Sequence, residues 1–345
     1  MKDEMRICKF AVVGCGMISK FHIGAIQAIE DTELIGVYDA ILQNAIDTAE
    51  KYNVRCYEKF DDLLEDSSVD AVCICTPSYL HAPLAYKVIE SGKSVLIEKP
   101  MALNINDCDK LIALAKEKNV QIGVVSQLRF SDSVSRVKKA VEDGVLGRIT
   151  RGDLYMKYFR SEDYYKQGGW RGTVEKDGGG ALMNQGIHGV DLLTYIMGPI
   201  KSIYARSATL IHDIEVEDTL ASTVVFQNGA LGTIEASTAD WPGAPRRIEI
   251  NGEYGVIVME ENQIIRWEVK GEKSFSMYEQ DKNNNQAYQN PSKIDIGGHI
   301  SQIKNFIGAL RGETPLLVTA EDGKRTVEVV LGAYESSASG SVVYL

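Results

Sequence analysis

Residues 12–19 read VVGCGMIS, an apolar strand pattern that runs directly into a glycine-rich turn. Gly14, Gly16 and the small Ser19 have the spacing with which a first βα turn holds the pyrophosphate of a dinucleotide. Gly14 permits the tight turn. Gly16 lets the backbone approach phosphates at the N-terminus of the next helix, where free N–H groups and the helix dipole attract anions. The predicted phosphate-binding residues are Gly14, Gly16, Met17 and Ile18.

Apolar strand patterns alternate with helical ones over the first 127 residues. Short continuous apolar runs joined by helices indicate a parallel sheet covered on both faces, and right-handed crossovers make such a sheet doubly wound. The predicted strands are CKFAVVG (8–14), ELIGVYDA (33–40), DAVCICTP (70–77), SVLIEKP (94–100) and NVQIGVVSQ (119–127). The fold class is therefore α/β, with a Rossmann domain over residues 1–127.

A second pattern begins near Asp153, where strands with alternating polarity follow one another. It predicts an α+β domain over 128–345 with a large, open, mostly antiparallel sheet. Asn228-Gly229 and Asn251-Gly252 are typical of hairpin turns. Residues 300–312 and 324–338 have the periodicity of amphipathic helices. The polar stretch 279–293 is consistent with a lid or a solvated connection, and we favour the connection.

The identity of the nucleotide follows from Asp39, which ends the second strand 25 residues after Gly14. A carboxylate at this place accepts hydrogen bonds from ribose hydroxyls and repels a 2′-phosphate. No arginine follows it closely. The sequence therefore predicts NAD rather than NADP as the cofactor.

Composition narrows the class of partner. The formal net charge of −11 argues against nucleic acid or an acidic membrane surface as a partner. The charged start MKDEMRICKF is unlike a signal peptide, and no run reaches the ~20 apolar residues of a membrane span. The six cysteines form no CxxC pair. We therefore expect free thiols, no bound metal and a cytoplasmic location.

Later motifs carry a family resemblance. CTPSYLH (75–81) and EKP (98–100) each end a strand, and WRGT (170–173) precedes GGGALMNQGIHGVDLL (178–193). Together they resemble the glucose-fructose oxidoreductase / inositol dehydrogenase / rhizopine-catabolism (Gfo/Idh/MocA) family over nearly the whole chain. The resemblance implies a Rossmann domain followed by an open-faced sheet domain. It also implies a nicotinamide-dependent oxidation or reduction of a secondary alcohol on a sugar, sugar derivative, nucleotide sugar or cyclitol.

The resemblance also implies roles for single residues. Lys99 matches the active-site lysine, His188 matches the catalytic histidine, and the Lys99–Pro100 bond is expected to be cis. Asn184 stands where many members have aspartate. The form MNQGIH resembles members that oxidise UDP-linked N-acetyl-glucuronate-type sugars. The residues matched to cofactor contacts are Thr76, Pro77, His81, Glu98, Gln127, Trp170 and Arg171.

The stretch 178–193 joins three glycines to an apolar helix that carries a polar stripe. Asn184 and His188, four residues apart, lie on one face of an α-helix. The glycines allow close passage of the chain beside cofactor or substrate. An imidazole titrates near neutral pH and can accept the proton of an alcohol, whereas a lysine does so only if its pKa is lowered. We therefore favour His188 as the base and Lys99 as the group that holds the substrate oxygen.

Several alternatives stay open from sequence alone. Lys99 rather than His188 is a possible base. An NAD-dependent glycosidase that oxidises its sugar transiently, or a non-catalytic sugar- or NAD-sensing regulator, fits the same scaffold. Arg160, Tyr164 and Tyr165 belong either to the sugar pocket or to a surface loop. His188 and Asp191 have metal-ligand spacing without an evident third ligand, so we expect no zinc.

Assembly is predicted from the strands of the second domain. TLASTVVF (219–226) and ALGTIEAST (230–238) mix small, polar and β-branched residues on both faces. This composition suits a sheet whose second face meets another subunit. We expect a homodimer or a homotetramer.

Overall fold

The computed structural model describes residues 7–167, 169–271, 275–276 and 296–345. The stretch 279–293, predicted as a connection, lies outside these residues. The described chain forms two compact units. One contains the residues up to Gln127 together with 296–324, and the other runs from Leu128 to residue 276 and resumes at Arg325. The prediction that all of 128–345 belongs to the second domain is wrong for 296–324, because the helix in this stretch packs into the core of the first unit.

The first unit is built on a six-stranded parallel sheet in the order β3-β2-β1-β4-β5-β6. This is the doubly wound order of dinucleotide-binding domains, as predicted. Its residues fit because the central strands are buried on both faces and consist of apolar side chains. The strands are β1 Cys8–Val13, β2 Thr32–Tyr38, β3 Arg55–Cys56, β4 Ala71–Ile74, β5 Ser94–Ile97 and β6 Ile122–Val124.

Helices cover this sheet. Phe306 of the late helix α10 packs against Phe10 of β1, with ring centroids 6.5 Å apart, and Ile303 and Ile307 join the same core as Ile23. This apolar face explains why a segment so late in the chain belongs to the first unit. The helices are α1 Ser19–Gln27, α2 Leu42–Tyr52, α3 Phe60–Glu65, α4 His81–Glu90, α5 Ile105–Lys118 and α10 Gly297–Leu310.

The second unit is built on a sheet whose described strands have the order β14-β13-β12-β11-β7-β10-β9-β8-β15. Among these strand pairs only β7 and β10 run parallel, so the sheet is mostly antiparallel, as predicted. The strands are β7 Ile149–Lys157, β8 Ile200–Ala208, β9 Thr219–Phe226, β10 Leu231–Ser237, β11 Arg247–Gly252, β12 Gly255–Glu260, β13 Gln263–Val269, β14 Phe275–Ser276 and β15 Val343–Tyr344.

One face of this sheet is covered by helices and carries the core of the unit. Leu154 of β7 and Ile234 of β10 lie in one buried cluster with Val190 and Leu193. Alternate residues of these strands face away from that cluster, and most of them are more exposed, whereas Asp153 is buried and accepts the hydroxyl of Thr233. The remaining helices are α6 Asp132–Glu142, α7 Glu162–Lys166, α8 Val174–Asp177, α9 Ile187–Met197 and α11 Ala320–Ser339.

The two predicted hairpin signals have different outcomes. Asn228-Gly229 forms the turn between β9 and β10, with Gly229 at a φ of +87° and the Asn228 side chain accepting a bond from the N–H of Ala230. The hairpin predicted at Asn251-Gly252 is present between β11 and β12, but its turn is formed by Glu253 and Tyr254, because Gly252 still belongs to β11 and pairs with Gly255. A Cβ on Gly252 would overlap the carbonyl oxygen of Leu146. Close backbone approach, rather than a turn, therefore explains this glycine.

In the part of the chain that the structure describes, no helix has both the length and the apolarity needed to cross a membrane.

Candidate functional site

The glycine turn after β1 requires Gly14 for two reasons. Its φ is +93°, a conformation that side chains other than glycine rarely adopt. A Cβ at this position would also lie 2.7 Å from the carbonyl oxygen of Cys75. The N–H of Gly14 donates to the carbonyl of Tyr38 at 2.8 Å. The turn is therefore locked between the carboxyl ends of β2 and β4, the switch point at which such sheets bind ligands.

Gly16 is different, since a Cβ there would meet no atom of the described residues within 4 Å. Packing inside the described protein therefore does not account for the glycine, whereas close approach of a ligand does. No described side chain caps the N-terminus of α1, which leaves its first N–H groups open to an anion. Ser19 donates its hydroxyl to the carbonyl of Gly16 at 2.7 Å and so holds the turn against the helix. Met17 is exposed and Ile18 directly precedes α1.

Asp39 lies directly after β2 and braces the same turn. Its Oδ2 accepts the N–H of Cys15 at 2.7 Å, and its Oδ1 accepts the N–H of Ile41 at 2.8 Å. Each carboxylate oxygen can accept a further bond. The carboxylate is thus held in a fixed orientation beside Gly14 and Gly16 and keeps acceptor capacity for two ribose hydroxyls.

Replacing Asp39 is expected to relax the choice between NAD and NADP. Two unit charges 4 Å apart interact by about 1 kcal/mol in water and by about 4 kcal/mol near a protein surface. We therefore expect the NAD-to-NADP affinity ratio to fall at least ~10-fold in Asp39→Ser and in Asp39→Asn, which keeps an acceptor for a backbone N–H. Calorimetric titration with both cofactors measures the ratio. Equal affinity of the wild type for NAD and NADP would contradict this account.

Two other predicted cofactor residues have buried polar atoms without partners among the described residues. These atoms are Oγ1 of Thr76, after β4, and Oε1 of Gln127. A buried acceptor or donor without a partner is costly and points to a ligand or a water that completes it. Gln127 begins a 3₁₀ turn, Gln127–Phe130, rather than closing β6, which ends at Val124. Pro77 begins the short turn Ser78–Leu80. These residues fit a bound dinucleotide.

Both ring nitrogens of His81 contact backbone carbonyl oxygens of this region. Its ring is 1% exposed, and Nδ1 lies 2.6 Å from the carbonyl oxygen of Pro100, while Nε2 lies 2.8 Å from that of Thr76. Burial lowers the pKa of His81, although both carbonyls oppose this. The ring therefore joins the loops that follow β4 and β5. We propose that His81 acts on the cofactor through these loops.

Glu98 and Lys99 follow β5, and the Lys99–Pro100 peptide is cis, as predicted. Lys99 is half-buried. The Glu98 carboxylate is 5% exposed, with Oε1 2.9 Å from Nε2 of His22 on α1 and Oε2 accepting the N–H of Lys99 at 3.2 Å. Burial by itself raises the pKa of Glu98, but the bond to His22 and the charges of His22 and Lys99 outweigh it and lower that pKa to about 2. Glu98 therefore anchors the lysine-bearing loop to α1.

His299 on α10 completes a buried group with His22 and Glu98, although sequence analysis gave neither histidine a role. One ligand-type atom from each residue lies within 4.8 Å of the others. The 2.9 Å contact between His22 and Glu98 has the length of a charge-assisted hydrogen bond. The ring of His299 packs edge to face on that of His22, with centroids 5.3 Å apart. We interpret the group as a buried junction of α1, α10 and the residue after β5 rather than as a metal site.

The glycine-rich stretch of the second unit leads into a π-helical turn, Ala181–Gly186, and then into α9. The α-helical spacing predicted for Asn184 and His188 therefore holds only from Ile187 onward, since the turn before it is wider. Such turns are frequent at functional sites. Within the second unit, Gly179 approaches the hydroxyl of Tyr334, and Gly180 approaches the carbonyl oxygen of Glu217. These two residues, rather than the predicted cofactor or substrate, explain the two glycines.

The side-chain amide of Asn184 is held in a hydrogen-bonded network. Its Nδ2 donates to Oδ1 of Asp177 at 2.7 Å, and its Oδ1 accepts from Gln185 at 2.7 Å and from the Tyr164 hydroxyl at 3.2 Å. Asp177 is 1% exposed. A carboxylate thus lies one hydrogen bond away from Asn184, and the amide is needed here as a donor to it.

Asn184→Asp is expected to place two carboxylates at this 2.7 Å contact. The pair then shares a proton, which raises one carboxyl pKa above its unfolded value. The stabilising contribution of that proton is present at low pH and is lost as pH rises through the raised pKa. We therefore expect the variant's deficit in unfolding free energy to be larger at pH 8 than at pH 5, and the acidic limb of its pH–rate profile to lie at higher pH.

A charge-swapped pair is the matched control for that variant. Asp177→Asn combined with Asn184→Asp restores one carboxylate and one amide across the same contact. Urea unfolding at the two pH values should show that the double variant recovers most of the lost stability. A single variant Asn184→Asp with the wild-type pH dependence of stability would contradict the network described here.

Trp170 and Arg171 lie in the same unit as this network. The Arg171 guanidinium lies 4.8 Å from the ring centres of both Trp170 and Tyr164, so the two aromatic rings orient it. Arg160 is 3% exposed and donates to Oε1 of Gln185 at 2.7 Å. Arg160 and Tyr164 therefore belong to the Asn184 network and not to a surface loop. Tyr165 contacts Thr238 through its hydroxyl at 2.7 Å.

His188 lies on the first turn of α9 and is half-buried. Asp191, on the same helix, is 4% exposed, and Arg129 donates to both of its carboxylate oxygens at 2.6–3.1 Å. The carboxylate of Asp191 is therefore used in a buried ion pair, which agrees with the expectation that it is not a zinc ligand with His188.

Comparisons with known proteins agree with this geometry. The description "Oxidoreductase family, NAD-binding Rossmann fold" (GFO_IDH_MocA) matches residues 8–126, and "GFO/IDH/MocA C-terminal domain" matches residues 134–258. The WlbA dehydrogenase from Bordetella pertussis, whose crystal structure contains NADH and UDP-GlcNAcA, is 32% identical. Its likeness covers 100% of this chain and 99% of that one, with a TM-score of 0.89.

Curated relatives extend the comparison to other alcohols. Myo-inositol 2-dehydrogenase from Thermotoga maritima is 27% identical over 343 residues, which are 95% of this chain and 96% of that protein. D-glucoside 3-dehydrogenase from Escherichia coli is 25% identical over 363 residues, covering 98% and 97% of the two chains. With the glycine turn, the parallel sheet and the mostly antiparallel second sheet, these matches establish that the chain belongs to the Gfo/Idh/MocA family of NAD-binding oxidoreductases acting on CH–OH groups.

Proposed function

We propose that the protein is an NAD-dependent dehydrogenase that oxidises a secondary alcohol of a nucleotide-linked sugar acid. The observation that carries this proposal is the full-length likeness, at 32% identity, to a dehydrogenase crystallised with NADH and UDP-GlcNAcA. The network around Asn184 supports it, because Arg160 and Arg171 supply oriented positive charge in a chain whose formal net charge is −11. Guanidinium groups recognise carboxylates and phosphates in planar, paired geometry.

The proposed chemistry converts a CH–OH group into a ketone. Bound NAD supplies the hydride acceptor. His188 accepts the hydroxyl proton as general base, and Lys99 holds the alcohol oxygen through its charge as electron density builds on it. Asn184, fixed by Asp177 and Tyr164, orients the polar surface of its helix toward the substrate. The hydride and the proton thus leave the carbon and the oxygen separately.

A substrate series tests this proposal. Purified protein is given NAD and UDP-GlcNAcA, UDP-GlcNAc, free glucuronate, a glucoside or myo-inositol, and NADH absorbance is followed. We expect the highest kcat/KM with the nucleotide-linked acid. A higher kcat/KM with UDP-GlcNAc, with free glucuronate or with myo-inositol would overturn the proposed substrate class. Release of an aglycone from the glucoside without net NADH would identify a glycosidase, and NAD binding without turnover of any compound would identify a regulator.

We further propose that the protein works as a homodimer or homotetramer through the open face of its second sheet. Tyr204 of β8 lies on this face in the same cross-strand row as Thr223 and Thr233. Leu231 is 59% exposed on the same face. Exposed aromatic and aliphatic groups among paired charges, such as Lys157 with Glu235, are typical of a surface that meets a second copy.

The expected mass in solution is two or four times the 38.0 kDa of the chain. Leu231→Glu buries a charge in the proposed contact, and we expect it to shift the mass toward that of one chain. Tyr86→Glu, on an exposed face of α4, is the matched control and should keep the mass of the wild type. Light scattering measures both. If the wild-type protein has the mass of one chain at micromolar concentration, the proposed contact is ruled out.

The cysteines support a proposal about location. All six lie in the described part of the chain and are free thiols, four of them buried. Because free thiols persist in reducing compartments, we propose that the protein works in the cytoplasm.

A further inference from the structure

The helical segment that carries Asn184 and His188 begins with four N–H groups that have no helical acceptor. Such groups lie at the start of every helix and need partners from elsewhere. Here Glu217 accepts hydrogen bonds from three of these N–H groups. Its Oε2 accepts the N–H of Gly180 at 2.8 Å, its carbonyl oxygen accepts that of Ala181 at 2.9 Å, and its Oε1 accepts that of Leu182 at 2.8 Å.

Tyr334 of α11 supplies the fourth partner. Its hydroxyl oxygen accepts the N–H of Met183 at 3.1 Å, and its own proton goes to Oε1 of Glu217 at 2.8 Å. The next N–H along the chain, that of Asn184, already bonds within the helix, to the carbonyl of Gly180 at 2.9 Å. The carboxylate and the backbone carbonyl of Glu217, together with the hydroxyl of Tyr334, therefore accept all four N–H groups at the start of this segment.

Gly179 and Gly180 leave the space that Tyr334 and Glu217 occupy. A Cβ on Gly180 would overlap the carbonyl oxygen of Glu217, and a Cβ on Gly179 would overlap the hydroxyl of Tyr334. Neither glycine has a positive φ, so the requirement at both positions is space. The glycines of GGGALMNQGIH thus leave room for Glu217 and Tyr334 directly before Asn184 and His188, the residues assigned to the chemistry.

Glu217 lies in the chain directly before Asp218 and β9, so it connects the start of the helix to the sheet. It is 8% exposed. Burial raises the pKa of its carboxyl, although the N–H donors and Tyr334 oppose this. Burial also raises the pKa of Tyr334, and the nearby Glu217 adds to the effect. A buried carboxylate that is held by three donors is rigid, and rigidity at a helix start fixes the residues of the next turn.

We propose that Glu217, with Tyr334, is the positioning residue that holds Asn184 and His188 in the geometry needed for hydride transfer. The inference rests on the proposed function, since it gives His188 the role of base. The wide π-helical turn between Gly180 and His188 makes such an anchor necessary, because a shift of the first turn passes directly to Asn184 and then to His188. A misplacement of about 1 Å can lower a rate ~10²-fold.

Glu217→Gln tests the proposal, because the amide has the same shape but only one acceptor oxygen. The amide oxygen can accept bonds either from Leu182 and Tyr334 or from Gly180, but not from all three. We expect kcat to fall ~10-fold to 10²-fold, with the KM for NAD unchanged. The primary deuterium isotope effect on kcat, measured with substrate deuterated at the reacting carbon, should rise as hydride transfer becomes rate-limiting. Loss of stability alone does not produce that rise.

Asp66→Asn is the matched control. Asp66 is a partly buried carboxylate that also accepts a tyrosine hydroxyl, that of Tyr57, and a backbone N–H, that of Ser68, in the first unit. We expect it to lower the melting temperature without changing the isotope effect. Tyr334→Phe keeps the carboxylate but leaves the N–H of Met183 without its acceptor. It should change kcat and the isotope effect in the same direction as Glu217→Gln, by a smaller factor, and it serves if Glu217→Gln does not fold.

The outcomes separate this proposal from the proposed function. If the wild type oxidises the sugar and His188→Ala does not, while folded Glu217→Gln and Tyr334→Phe keep wild-type kcat and isotope effect, the positioning role is wrong and the proposed function stands. If His188→Ala keeps full activity, the assignment of the base fails first. Loss of kcat with a raised isotope effect in Glu217→Gln, and not in Asp66→Asn, supports the positioning role.

Discussion

His188→Ala is expected to lower turnover of the sugar substrate by ~10²-fold or more, the usual effect of removing a general base. Affinity for NAD should not change, because His188 is assigned to the reacting hydroxyl and is not among the residues matched to cofactor contacts. Steady-state kinetics and calorimetric titration with NAD measure the two quantities.

Lys99→Ala is the necessary companion to this variant. If Lys99 holds the alcohol oxygen, its loss raises KM and lowers kcat without removing the dependence of the rate on a group that titrates near neutral pH. If His188→Ala keeps near-wild-type turnover while Lys99→Ala loses it, the lysine is the base and the assignment is wrong. Lys99 and His188 were both matched from motifs, and this pair of variants decides between their roles.

Gly16→Val is expected to lower NAD affinity by at least ~10²-fold while the protein keeps its fold. A Cβ at Gly16 meets no atom of the described residues within 4 Å, and its φ is not in the left-handed region, so a side chain can begin there without overlap with them. The same side chain occupies the space through which the backbone approaches a pyrophosphate. A steric block of this kind removes favourable phosphate contacts and adds overlap.

Gly14→Val in the same turn provides the contrast. Its Cβ would lie 2.7 Å from the carbonyl oxygen of Cys75 at a φ of +93°, so we expect this variant to lose stability as well as NAD binding. Thermal unfolding and NAD titration separate the two effects. If Gly16→Val binds NAD with wild-type affinity, the phosphate site has been placed at the wrong turn.

Much of the first unit was predictable because its signals are local. Gly14, Gly16 and Asp39 lie within one βαβ stretch, and their types follow from backbone geometry and charge. The buried strands are short apolar runs, which the sequence displays directly. The helix at 297–310 was recognised as a helix but assigned to the wrong unit, because an amphipathic pattern does not state which core it covers.

The network around Asn184 was only partly predictable. The motif predicted Asn184 and His188, but not the bonds of Asp177 and Gln185, which lie close to Asn184 in the chain. It also did not predict Glu217 and Tyr334, whose contacts join segments far apart in the chain. The glycines of 178–180 were a usable signal, since three in a row before a helix indicate close approach of something. The predicted neighbour was cofactor or substrate, whereas the groups that approach Gly179 and Gly180 are the hydroxyl of Tyr334 and the backbone carbonyl of Glu217, both from the same unit.

Asparagine at position 184 also has a physical reason that the motif alone did not supply. Asp177 already places a buried carboxylate 2.7 Å away, so a second carboxylate at 184 would meet it directly. The amide donates to Asp177 and accepts from Tyr164 and Gln185 with its oxygen. The presence of asparagine rather than aspartate at position 184 therefore follows from its neighbour Asp177.

The most direct test of the central claim is the formation of NADH when the purified protein is mixed with NAD and UDP-GlcNAcA. The account predicts NADH in proportion to a ketone product, at a rate that His188→Ala lowers ~10²-fold while NAD binding persists. It is contradicted if the wild type binds NAD but forms neither NADH nor ketone with UDP-GlcNAcA or with any sugar or cyclitol in a stereochemically broad series.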